Sequence, residues 1–154
     1  MIQKCIPVIH TDLHAMQQLF HPTDLGPGSE TAFVHALRIA TLMRARLTVM
    51  HVTDNHDTDG VELPGVRAHL TRWGLIANVH DAAGLEALGL GVHKVVTSSA
   101  DPIGACTRFL QAHPTDLIVL ATHQKEDRIG WIQDRFAEPL ARETGRPTLF
   151  IPHN

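Results

Sequence analysis

The chain has 154 residues, 44% of them hydrophobic and 19% charged, with a formal net charge of −3. That length suits one domain with one sizeable core, and the balance excludes a disordered chain or a general nucleic-acid binder, which would carry a basic face. The longest apolar runs, such as LIVLA at 117–121, are too short to cross a bilayer, and the opening MIQKCIPVIHTDLHAMQ lacks the charged start and long apolar middle of a signal peptide, so no membrane partner and a cytoplasmic location are expected.

Residues 1–15 are mixed in character and read as an N-terminal extension to a domain spanning 16–154. Cys5 lies in it, and its spacing from Cys106 matches neither a disulfide framework nor a metal pair. A first strand is expected from Met16 to His21, ended by Pro22 and followed by the turn-rich TDLGPGSE. Ser29 is placed to cap the next helix, whose apolar residues Ala32, Phe33, Ala36, Leu37, Ala40 and Met43 keep the helical period. Arg46 to Val52 is short and β-rich, a second strand, and TDNHDTDG at 53–60 is a polar loop. Helices are expected over Leu63–Leu75, carrying Trp73 against the sheet or under a neighbouring loop, and over Asp81–Leu90.

Gly91 to Thr97 reads as a third strand. Asp101 and Pro102 then supply an N-cap and a favoured first residue for a helix that ends near Ala112 and buries Cys106 as a small core residue. Asp116 to Thr122 is a fourth strand, apolar at consecutive positions as a strand buried on both faces would be. The last helix is expected within Asp134–Glu143, with its cap near Asp134 or Arg135 because Pro139 suits a first turn, and with Gly145 closing it. Pro147 to Ile151 is a fifth strand. Strands alternating with helices and no hairpin signals predict an α/β fold in one domain, a parallel sheet in a three-layer arrangement.

The chain contains 12 histidines, so mild acidification can reverse the sign of its net charge. His21, His51 and His123 fall near the carboxyl ends of predicted strands, where open α/β sheets bind ligands, and with Asp24 they are candidates for a metal or anion site. No tight ligand spacing supports a metal there. His51, Asp54, His56, Asp57 and Asp59 offer a weak divalent-ion loop, against the plainer reading of a hydrophilic turn. Ser98 and Ser99 lack a nucleophile-elbow pattern, and no acid–base pair is visible, so no catalytic residue and no enzyme are expected. Trp131, with Ile129 and Ile132, brings apolar bulk either to cover a vacant pocket or to form a partner-binding patch.

FHPTDLGPGSETAFVHALRIA at 20–40, LTVMHV at 47–52, DLIVLATH at 116–123 and AEPLARETGRPTLFIP at 137–152 together resemble the universal stress protein A family. The resemblance implies a single doubly wound, Rossmann-like sheet of five parallel strands with helices on both faces, and a homodimer paired through the last strand, at Thr148, Leu149, Phe150 and Ile151. It places the family's ligand-site positions on Asp24, Val49, Ala121, His123, Gln124, Lys125, Asp134 and Arg135. Part of that family binds ATP through Gly, two residues, Gly, nine residues, then Gly and Ser or Thr. Thr122–His123 and Ala137–Glu138 set the register, and the four motif positions become Ala121, Gln124, Asp134 and Arg135. All four depart from the pattern, while the adenine-side aspartate is kept as Asp24.

Gln124 brings a Cβ and three further heavy atoms into the space of a phosphate. Asp134 is expected to cap the last helix and occupy its N–H groups, and Asp127 adds a second negative charge. The expectation is a stress-response protein that binds no ATP in the family manner and acts through a protein partner or a small ligand. The alternative is an ATP- or AMP-binding module in which Asp24 holds the base and Lys125, Arg128 or Arg135 the phosphate. A histidine-based metal-dependent enzyme is the remote third.

Overall fold

A computed structural model describes residues 16–123 and 130–153, with the backbone alone for 123 and 130–135. In chain order the elements are β1 (Gln18–Pro22), α1 (Pro27–Met43), β2 (Arg46–Thr53), α2 (Val66–Arg72), α3 (Ala82–Ala87), β3 (Gly91–Ser98), α4 (Pro102–Ala112), β4 (Leu117–His123), α5 (Gly130–Thr144) and β5 (Thr148–His153). The five strands form one sheet in the order β3-β2-β1-β4-β5, and every pairing is parallel. Successive strands step outward from β1 in one direction to β3, then from β4 in the other, so the order reverses between β1 and β4. Open α/β sheets bind ligands outside the carboxyl ends of the strands at such a reversal.

Strand alternation divides the core in two. Leu19, Leu47, Val49, Leu117 and Val119 pack with the apolar stripe of α1 and with Leu70 of α2. Phe20, Met50, Ile118 and Leu120 face the other way, against Ala105, Cys106 and Leu110 of α4 and Ala137 and Leu140 of α5. The consecutive run in β4 is apolar because both of its faces are covered, as the sequence reading expects.

Asp101 caps α4 as expected: its carboxylate accepts from the Gly104 N–H at 3.0 Å. Gly145 takes a left-handed φ of 60° and its N–H returns to the Ala141 carbonyl at 3.0 Å, closing α5. Other boundaries differ from expectation. Pro64 and Gly65 delay α2, which starts at Val66. Ser29 is not a cap: α1 begins at Gly26 and Pro27, and Ser29 sits inside the first turn. Most consequentially, α5 begins at Gly130, four residues before the expected start. Pro139 is therefore an interior residue, and Asp134 lies past the free N–H groups of the first turn rather than at the cap.

Candidate functional site

The turn between β1 and α1 is held by its own side chains. The Asp24 Oδ1 atom accepts from the Gly26 N–H at 2.7 Å and from the Ser29 hydroxyl at 2.6 Å. The Ser29 hydroxyl, the expected cap, thus orients the aspartate instead. Thr23 accepts from the Leu25 N–H at 3.0 Å, and Leu25 takes a left-handed φ of 64°, an uncommon conformation for a leucine. Between them these contacts pin a short, strained turn at the reversal point of the sheet.

Beside this turn opens a cleft of about 300 Å³, at the lower end of small-molecule sites. Its polar side carries Thr23, Asp24, Ser29 and His51; its apolar wall includes Met50, Val52, Pro102, Cys106, Leu120 and Phe136. The His51 ring donates from Nδ1 to the Thr23 carbonyl at 2.8 Å, which fixes its orientation at the rim. Burial pushes the Cys106 thiol up to about 12, so it stays protonated near neutral pH and serves as an apolar wall residue.

The structure gathers some of the sequence-predicted residues and separates others. Asp24, His51 and Ala121 line the cleft. Val49 does not; its side chain is fully buried in the α1-side core, and its neighbours Met50, His51 and Val52 line the cleft in its place. His21 also points into that core. Its Nδ1–H donates to the Val119 carbonyl at 2.9 Å, its ring lies 6.1 Å from that of Phe33, and its Nε2 is buried without a hydrogen-bond partner. Desolvation holds the His21 pKa below the ordinary histidine value, a shift the Val119 and Ser29 carbonyls and the Asp24 carboxylate only partly offset.

Among the described residues, no group of three or more histidine, cysteine, aspartate or glutamate side chains converges as a metal would require. In the acidic loop after β2 the side chains form successive turns instead: Thr53, Asn55 and Asp57 each accept from the N–H two residues on. The Ser99 hydroxyl donates to the Asp101 carbonyl and accepts from its N–H, a backbone-bonding role. Gln124, Lys125, Asp127, Arg128 and Ile129 lie outside the described residues, as do the side chains of His123, Trp131, Ile132, Asp134 and Arg135.

Sequence reasoning missed the apolar wall. Pro102 and Cys106 reach the cleft because α4 starts where β3 ends, at the same edge of the sheet, and the sequence signal available was that position. Phe136 follows directly on the degenerate motif and is the bulkiest wall residue.

The chain matches the sequence profile of the Universal stress protein family over residues 16–152. No curated protein matches it by sequence. Among solved structures, a universal stress family protein from Burkholderia pseudomallei is similar with a TM-score of 0.57 and 22% identity, covering 90% of this chain and 98% of its own. A universal stress protein in complex with cAMP gives 0.59 and 17%, covering 89% and 97%. One from Archaeoglobus fulgidus in complex with dAMP gives 0.52 and 13%, covering 88% and 97%. At these identities the structural likeness speaks for the fold. Taken with the profile match along nearly the whole described chain, it makes this protein a member of the universal stress protein family.

Proposed function

We propose that the protein is a cytoplasmic, homodimeric stress-response protein, without enzymatic activity, that binds a small ligand or a protein partner and does not bind ATP in the family manner. Residues 16–154 form the stress-protein domain and 1–15 its extension. The observation that carries this reading is the cleft at the strand-order reversal, which keeps Asp24 on its polar side but has an apolar wall ending in Phe136. The glycine positions that would build a phosphate nest are Ala121, Gln124 and Asp134, with Arg135 where a hydroxyl residue would stand. Val49, His123 and Lys125 complete the ligand-site positions in this assignment. The homodimer pairs through β5, from Thr148 to Ile151.

A second reading has its own support. Asp24 is positioned at the cleft, and two similar structures hold cAMP and dAMP. Under it the cleft takes an adenine nucleotide, with Lys125, Arg128 or Arg135 on the phosphate.

Mass spectrometry of the small molecules released from freshly purified, denatured protein decides between them. The first reading expects no stoichiometric nucleotide, and no thermal shift on adding ATP or AMP. A bound ligand at about 100 times its Kd stabilises by about 2.7 kcal/mol, so even moderate affinity registers. A nucleotide at one per chain, or an AMP-induced shift that Asp24→Ala removes, overturns the first reading in favour of the second. Combining Ala121→Gly, Gln124→Gly, Asp134→Gly and Arg135→Ser then tests the motif account directly: nucleotide affinity should appear.

A further inference from the structure

Charge is unevenly placed along this chain. No carboxylate occurs between Glu30 and Asp54, and none between Glu62 and Asp81, yet these two stretches contain Arg38, Arg44, Arg46, Arg67 and Arg72. In a protein whose net charge is −3, that is a local cationic excess running against the average. The two stretches supply most of α1 and all of α2, which meet where Phe33 lies 5.7 Å from His69, and His69 lies 5.9 Å from Trp73 at the end of its own helix. Of these arginines, Arg44 bonds the Ala87 carbonyl and Arg67 the Val79 carbonyl.

Where the last turns of α1 meet the end of α2 lies a hollow of about 400 Å³, lined by Arg38, Thr41, Leu42, Trp73 and Leu75. It shares no lining residue with the cleft. Leu42 is 82% exposed and Leu75 42%, with Met43 at 43% beside them. Leucines standing this far into water at the lip of an apolar hollow are uncovered binding area rather than core. The Arg38 guanidinium lies 4.8 Å from the centroid of the Trp73 ring. Stacking on an indole pre-orients a guanidinium and leaves its edge N–H groups for a carboxylate. Among the described residues no carboxylate pairs with Arg38; the ion pair seen there is Glu138 with Arg142.

We propose that this hollow docks an acidic amphipathic helix of a partner protein, with a leucine-type side chain filling the space between Leu42, Trp73 and Leu75 and a flanking carboxylate bonded to Arg38. Helix-in-groove recognition uses apolar anchors three and four residues apart, and the Arg38 guanidinium at the rim complements an acidic residue between them. A second copy of this chain offers a poor counterpart among its described residues. The leucines beside Glu86, Leu85 and Leu88, pack on their own core.

The test uses the isotope-labelled full chain and two synthetic helical peptides, identical in their leucines and carrying either glutamates or lysines between them. Trp131→Phe separates the Trp73 indole signal from the other tryptophan. The glutamate peptide should shift the Trp73 indole and Leu42 signals, and the lysine peptide should bind at least about tenfold more weakly, a difference of about 1.4 kcal/mol. Arg38→Glu should invert that preference, and Leu42→Asp should abolish binding of either peptide; both positions are exposed, and a melting curve confirms folding. Equal binding of the two peptides, no shift at Trp73, or an unchanged preference in Arg38→Glu overturns the proposal. Shifts that come instead from phosphatidylserine vesicles would assign the face to a membrane surface. Concentration-dependent shifts without peptide, removed by Leu42→Asp, would assign it to a second copy.

Discussion

His21 joins an imidazole to a place that the alternation of β1 assigns to the core. Its ring is fully buried, one nitrogen bonded to Val119 and the other without a partner. A charged ring there would lose its hydration, which the Val119 and Ser29 carbonyls and the Asp24 carboxylate offset only in part, so the folded chain holds His21 neutral and its pKa below 6.5. Above that value both folded and unfolded rings are neutral and the fold keeps the full benefit. As pH falls through the unfolded value, the unfolded ring takes a proton that the folded one refuses, and stability drops by up to about 1.4 kcal/mol per pH unit. The other histidines contribute equally to the wild type and to His21→Leu, so the comparison isolates this ring. Denaturation midpoints from about pH 7.5 to about pH 5 should fall less steeply for the variant; parallel curves would show that His21 is not held neutral. The sequence placed His21 correctly near the strand end but could not reveal its direction, because a single register step decides whether a strand residue faces cleft or core.

At the scale of elements, local chemistry was legible where one residue pair decides an end, and misleading where two compete. Asp101–Pro102 has a carboxylate and a fixed φ at the start of an apolar helical pattern, and α4 begins there. Ser29 offers the same chemistry, but the Asp24 carboxylate, which also accepts from the Gly26 N–H, captures its hydroxyl for the turn. Pro139 suggested a first turn, yet α5 extends back to Gly130 and retains the proline inside. An interior proline removes one helical hydrogen bond and crowds the preceding turn, at a cost of up to about 3 kcal/mol. Pro139→Ala should therefore stabilise the protein, by about 1 to 3 kcal/mol in urea unfolding, because it restores that bond. A helix that began only near residue 135 would place Pro139 in its first turn, where the N–H has no helical partner, and the same substitution would be neutral or destabilising. The measurement thus bears on where α5 starts, and through it on whether Asp134 can act as a cap.

The whole molecule is organised by strand order, which no local pattern in the sequence encodes. Parallel strands alternating with helices could be read from periodicity, and five of them were. The order that brings β1 beside β4 rests on contacts between residues some 98 apart, as in Gln18 with Asp116, and the family resemblance implied only a doubly wound sheet without naming its strand order. That order puts β5 at an edge, bonded to β4 alone, with Leu149 and Phe150 exposed and Ile151 turned into the core. An apolar edge of this kind is a template for uncontrolled pairing unless it is covered, and pairing with its own copy covers it symmetrically. If that is the role of β5, a charge there should separate the dimer without touching the monomer's core. Phe150→Lys leaves Ile151 in place and adds like charges close together across a two-fold axis, so sedimentation should shift from dimer to monomer while the melting profile at low concentration stays near that of the wild type. A variant that remains dimeric would move the interface away from β5.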